Sequence, residues 1–220
     1  MKPQLYYFAI RGRGEPARLA LAALDIEWEE CGVDYQLMKS DLTQFPFTQC
    51  PRYVDEDGDI SQSNTIMRHL GRKHGLYGSG LAEAARIDML ADGVEDLKRK
   101  YLALIYQDQL SDEAKKSYWS AHIDPASATG SRNGGAHFTY LAKLVERYGA
   151  EGWAVGGKMS IADVLLFDLT DVHTRAFGAE FGSAYPELAA HHAKVAAVPG
   201  IKAYLGSSRQ FDKVNNNGLG

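Results

Sequence analysis

The segment Tyr6-Tyr7-Phe8-Ala9-Ile10-Arg11-Gly12-Arg13 gathers groups able to do chemistry. A tyrosine at the end of a strand, followed by two arginines and the start of a helix, makes a site that favours negative charge. The helix end contributes positive potential, Arg13 adds a full charge, and a phenol can donate to an anion such as a thiolate. Buried tyrosines with one hydrogen bond are common, so these residues by themselves leave a packing role open.

Other patterns carry less. Residues 152–158 (GWAVGGK) have the spacing of a phosphate-binding loop. Met159, however, stands where Ser or Thr must ligand magnesium, and no parallel-sheet pattern surrounds it. Ser160-Ile161-Ala162-Asp163 reads instead as a capping box, a folding signal. Gly12 and Gly14 lack the third glycine of a dinucleotide fingerprint. His69 and His74 are five residues apart, and His191 and His192 are adjacent, so neither pair shares a helix face suited to a metal. All four read as solvated or packed, and no metal is expected. Cys31 and Cys50 form neither a Cys-x-x-Cys motif nor a disulfide framework, and read as reduced structural thiols.

The elements that must position these residues fall into two kinds. Residues 4–9 read as a strand, and Gly14-Glu15-Pro16 opens an Ala- and Leu-rich helix. A short strand follows within residues 26–33, then a hairpin over residues 51–61 with an acidic turn. Ser63-Asn64-Thr65 supplies capping side chains for a helix that stops near Gly75. After a linker at residues 76–80 no strand pattern remains. Residues 82–107 carry one apolar stripe of Ile87, Leu90, Val94, Leu97, Tyr101, Leu104 and Ile105. Residues 124–135 read as an exposed loop, and further helical patterns start at Phe138, Ile161, Pro186 and Ile201. The tail, residues 215–220, has little to bury and reads as mobile. A small α/β domain thus precedes a larger all-helical one.

The 220 residues suffice for two modest cores, and 45% apolar with 24% charged residues is ordinary for a globular protein. A net charge of −4 suggests neither nucleic acid nor an anionic membrane as partner. The N-terminus lacks the apolar run of a secretory signal, and a cytoplasmic location is expected.

Four segments in this order, YYFAIRGRGEPAR, QCPRYVDEDGDISQSNTIMRHLGRKHGLYG, DMLADGVEDLKRKYLALIY and SIADVLLFDL, resemble the cytosolic glutathione transferases, most like their Pi class with Sigma next. The resemblance covers nearly the whole chain. It implies a thioredoxin-like α/β domain over residues 1–77 (β-α-β, then β-β-α, with a cis-proline at Pro51) and an all-α domain over residues 82–220. It implies conjugation of glutathione's thiolate to small hydrophobic electrophiles, with glutathione as co-substrate and no other cofactor. Tyr7, immediately before Phe8, matches the catalytic tyrosine, and Arg13 lies in the matching RGR. Lys39, Gln49, Cys50, Pro51, Gln62 and Ser63 match glutathione-binding positions. Asp96 matches a carboxylate that reaches the glutathione of the neighbouring subunit in a homodimer. Phe8, Ile10 and Tyr106 match the electrophile pocket, and Phe47 an aromatic key between subunits.

There are departures from the family pattern. Met38 stands at the usual Trp, Lys39 follows it earlier than the family's lysine, and the loop at 124–135 is longer than usual. The alternatives are a carrier of haem or other hydrophobic ligands with little turnover, or a Sigma-like isomerase.

Overall fold

Leu5, fully buried, lies at the middle of β1 (Gln4–Tyr6), around which a four-stranded sheet of order β2-β1-β3-β4 is organised. The computed structural model describes residues 1–127 and 133–220. By its contacts the chain divides into residues 1–76 with 197–216, and residues 77–196 with 217–220.

In the first unit, α1 (Glu15–Ala23) carries the chain from β1 to β2 (Glu29–Cys31), which pairs with β1 in parallel, a connection that needs such a crossover. Helix α1 follows a 3₁₀ turn (Gly12–Gly14), has its proline in the first turn, and buries Ala17, Leu19, Ala20 and Leu21. Strand β3 (Arg52–Asp55) runs antiparallel to β1 with Leu5 opposite Tyr53, and β4 (Gly58–Ser61) returns after a two-residue turn. Helix α3 (Ser63–His74) buries Ile66, Met67 and Leu70 and ends at Gly75, whose φ of +78° is the left-handed cap that glycine favours. The expected β-α-β, β-β-α order therefore holds, with one addition. Between its halves lies α2 (Tyr35–Ser40), started by Asp34 accepting the Leu37 N–H at 2.8 Å. Six residues with Met38 alone buried offer no apolar period to read.

In the second unit, α4 (Leu81–Tyr106) buries every residue of the stripe read from the sequence. α5 (Asp112–Tyr118) and a π turn (Trp119–Ile123) follow, and neither has a legible stripe. α6 (Phe138–Tyr148) precedes α7 (Ile161–Phe177), which is apolar nearly all round and packs against α4, α8 (Ala179–Ala184) and α9 (Pro186–Ala196). Asp163 starts α7 by accepting from the Ser160 N–H (2.7 Å) and hydroxyl (3.0 Å). Its other oxygen takes the Ala154 N–H (2.7 Å) and His191 Nε2 (2.8 Å). The glycine-rich segment before α7 thus spends an amide on this cap. Of the expected loop at 124–135, Pro125–Ser127 form a 3₁₀ turn and Asn133 is buried, while residues 128–132 lie outside the described residues. Past residue 80, the β pairing among the described residues is limited to isolated bridges at 149–156 and 150–153.

Two expectations change. α10 (Pro199–Leu205) packs on α1, so residues 197–216 cluster with the α/β unit. The tail is also anchored. Asn215 is 2% exposed and the Asn217 amide donates to Ile105 O at 2.9 Å, bonds that no apolar pattern announces. No helix among the described residues is long and apolar enough to cross a membrane.

Candidate active site

Adjacent strand residues face opposite ways, and the two tyrosines at the end of β1 divide accordingly. Tyr6 lies under the Arg52 guanidinium (4.7 Å from the ring centre) and donates to the Gln4 side chain at 3.1 Å. Tyr7 continues the pairing with β2 through its N–H to Cys31 O (3.0 Å) and turns its ring inward, 8% exposed. The ring rests on the 3₁₀ turn, where its oxygen accepts the Arg13 N–H at 2.9 Å. A phenolic oxygen that accepts an N–H is polarised, and its own proton becomes a better donor.

The turn is shaped around this ring. A Cβ on Gly12 would stand 2.6 Å from the Tyr7 oxygen, and one on Gly14 would stand 2.7 Å from the ring's Cδ1. Gly12 also has φ +43°, which glycine adopts at little cost. The sequence reading weighed this pair only as a dinucleotide fingerprint and missed this role, because the glycines act here only by their lack of bulk. Arg18 was missed as well, although one cation in EPARLALAA is a signal. It is fully buried, bonded to Glu30 at 2.5 Å, and its guanidinium carbon lies 5.6 Å from the Tyr7 ring centre.

Cys50 precedes Pro51 through a cis peptide bond. Burial pushes the Cys50 thiol up to about 11, although a Phe8 backbone hydrogen bond and the nearby Lys39 charge oppose this. Burial thus keeps the Cys50 thiol protonated at neutral pH. Lys39 comes from α2, with Met38 buried on the other side, and donates to Thr48 O at 3.0 Å. Phe8, Cys50 and Lys39 are thus brought together, with exposed Gln49 between Thr48 and Cys50.

Gln62 is the cap residue of α3 with φ +74°, a strained conformation for a non-glycine residue. The expected side-chain cap is absent: Ser63 is the first helical residue and Gln62's side chain makes no capping bond. First-turn N–H groups without a side-chain cap suit a carboxylate. Phe8 is half-buried with its ring centre 5.8 Å from that of Tyr7, and Ile10 is buried. In the second unit Asp96 is exposed on α4 and Tyr106 ends that helix, 42% exposed. Phe47 is 58% exposed.

Elsewhere, one ligand atom each of Asp55, Asp57 and His69 lie within 4.8 Å of one another. The Lys73 ammonium already supplies positive charge there, 3.0 Å from Asp55 and 2.7 Å from Asp57, so the cluster reads as an ion-pair knot.

Residues 3–72 match the sequence model of the glutathione S-transferase N-terminal domain, and residues 95–208 that of the C-terminal domain. The chain is 34% identical to glutathione S-transferase P of Capra hircus, over 97% of each protein. It is also 34% identical to that of Homo sapiens, over 96% of each. Among solved structures, the Pi-class glutathione S-transferase of Onchocerca volvulus superposes with a TM-score of 0.82 at 32% identity, covering 100% of both chains. The glutathione S-transferase of Ascaris lumbricoides has a TM-score of 0.74 at 24% identity, over 93% of this chain and 96% of that one, a likeness of fold.

Proposed function

This chain belongs to the glutathione S-transferase family, is most like its Pi class and is a glutathione transferase, and on that premise we propose that Tyr7 activates glutathione's thiol for attack on small hydrophobic electrophiles. The observation that carries the proposal is the Tyr7 oxygen held by the Arg13 N–H at 2.9 Å. A free thiol titrates near about 8.5 and is mostly protonated at neutral pH. A phenol O–H donated to the sulfur favours the thiolate and raises the reactive fraction. The thiol's proton passes to solvent. The anion forms the carbon–sulfur bond either by displacing a leaving group such as chloride or by adding to a polarised double bond whose electron pair is then protonated. The protein contributes orientation and electrostatic stabilisation.

Glutathione lies along residues 49–63 in this reading. The Cys50 main chain pairs with its cysteinyl backbone in strand fashion, beside Gln49 and Pro51. The γ-glutamyl carboxylate takes the first turn of α3 at Gln62 and Ser63, and Lys39 and Gln49 serve the glycyl end. Arg13 strengthens the field around the sulfur. The α/β unit, residues 1–76 with 197–216, binds glutathione, and Phe8, Ile10 and Tyr106 are the residues assigned to the electrophile. The protein works as a cytoplasmic homodimer in which Asp96 reaches the γ-glutamyl amine bound to the partner subunit, without metal or further cofactor. The exposure of Asp96 and Phe47 supports this reading.

Tyr7→Phe tests the core of the proposal. It should reduce conjugation of a chlorodinitrobenzene about a hundred-fold or more, leave glutathione binding within a few-fold, and raise the pH midpoint of the bound-thiolate absorbance. Tyr6→Phe should do little. An unchanged midpoint in Tyr7→Phe removes Tyr7 from the role.

A further inference from the structure

The main chain between Tyr7 and Arg13 is held from two sides by residues distant in sequence. Arg18 reaches it from within α1, donating through Nη1 to Ile10 O (2.8 Å) and Arg11 O (3.3 Å), and through Nη2 to Phe8 O (3.5 Å). The C-terminal segment reaches it from the other side. The Arg11 N–H donates to Lys213 O (2.9 Å), the Gly12 N–H to Val214 O (3.0 Å), and Arg11 Nε to Phe211 O (2.8 Å). The Phe211 ring also covers Arg18, with its centre 4.7 Å from the guanidinium carbon.

The segment is itself anchored at several points. The Arg209 guanidinium lies 3.6 Å from the centre of the Trp28 ring and donates to Trp28 O. The Gln210 amide donates to Glu15 (3.2 Å), and Val214 and Asn215 are buried. Trp28 Nε1 and Arg18 share Glu30, so segment and pin belong to one hydrogen-bonded frame.

Two successive amides link this frame to the phenol. The Gly12 N–H is spent on Val214, and the next N–H, that of Arg13, meets the Tyr7 oxygen. The peptide units carrying these two amides are joined at Gly12 (φ +43°), so holding the first fixes one end of the torsions that aim the second. Resting on the reading of Tyr7 given above, we infer that residues 211–214 form a positioning strap for the catalytic loop, with Arg18 as its inner pin. The strap touches no substrate. It sets the angle at which the Arg13 N–H polarises the phenol, and a bond of this kind weakens steeply with misalignment.

Truncation after Asp212 removes the two carbonyls that accept the Arg11 and Gly12 main-chain N–H groups and retains Phe211 with its bond to Arg11 Nε. In the full-length comparison, the bound-thiolate midpoint should rise by about one pH unit and kcat near pH 6.5 fall about ten-fold. KM for glutathione should stay within about three-fold. Phe211→Ala should move the midpoint the same way by less. In a Tyr7→Phe background the truncation should cost nothing further, because the strap acts through that phenol. A merely stabilising segment would lower the melting temperature and leave the midpoint alone. A folded truncated enzyme with the wild-type midpoint overturns the inference. If the truncated chain does not fold, an unmoved midpoint in Phe211→Ala does so. An unmoved midpoint in Tyr7→Phe itself sinks the reading of Tyr7, and the strap with it. A moved midpoint in Tyr7→Phe beside an unmoved one in the truncation sinks the strap alone.

Discussion

Gly14→Ala tests whether the Tyr7 ring is seated as described. Gly14 has φ −82° and ψ −23°, which alanine adopts without strain, so any effect comes from the added methyl. That carbon would lie 2.7 Å from Tyr7 Cδ1 and 2.9 Å from Cγ. Carbon atoms in comfortable contact stay about 3.5–4.0 Å apart, so the ring must withdraw by roughly 0.8 Å. Tyr7 is 8% exposed, with Arg18 close to its ring, which leaves little room to withdraw. Shifted by that much, its oxygen leaves hydrogen-bonding range of the Arg13 N–H, now 2.9 Å away. Overpacking costs about 1–3 kcal/mol, and at Gly14, the cap residue of α1, alanine has no interior helix propensity to offset it. A misplacement of this size should lower kcat about ten- to a hundred-fold and raise the thiolate midpoint, with a modest loss of stability. The assay is conjugation of a chlorodinitrobenzene together with the thiolate titration. Gly32→Ala, where an added Cβ meets nothing within 4 Å, is the control. A Gly14→Ala enzyme with kcat within two-fold and an unmoved midpoint would refute either the seating of the ring or its role.

Asp96→Ala should weaken glutathione binding about ten- to a hundred-fold and leave the binding of N-acetylated glutathione unchanged. A mixed dimer of Asp96→Ala and Tyr7→Phe chains should keep about half the wild-type activity with normal affinity, and weakened affinity there would place Asp96 within its own site. Cys50→Ala should retain turnover within a few-fold, since its thiol, pushed up to about 11, stays protonated at neutral pH; loss of activity would give the side chain a role its main chain lacks. Buried His173 donates from Nδ1 to Leu169 O (2.7 Å) and accepts the Tyr118 hydroxyl at Nε2 (2.8 Å), and burial pushes it down to about 3. An unfolded chain takes up this proton near about 6.5 and the native one does not, so stability should fall as pH drops from there toward 3, by up to about 1.4 kcal/mol per unit. Denaturant melts of His173→Gln should lack this component of the slope, and an unaltered slope would contradict it.

Much of this architecture was legible because it is periodic or local. The stripe from Ile87 to Ile105 states which face of α4 is buried, the hairpin is announced by its acidic turn, and the α7 cap is written in four adjacent residues. Tyr7 and Arg13 stood out through the chemistry of their side chains. α2, α5 and α8 did not, since six or seven residues with one buried side chain each carry no period. Nor did the use of Arg13 through its main-chain N–H, the room left by Gly14, or the bonds from Lys213 and Val214 to the loop some 200 residues earlier. A side chain's type travels with the sequence, and so does the period of a buried face. Main-chain groups are the same at every residue, so which N–H meets which carbonyl is decided only when α10 has docked on α1 and brought the chain's end back to its beginning.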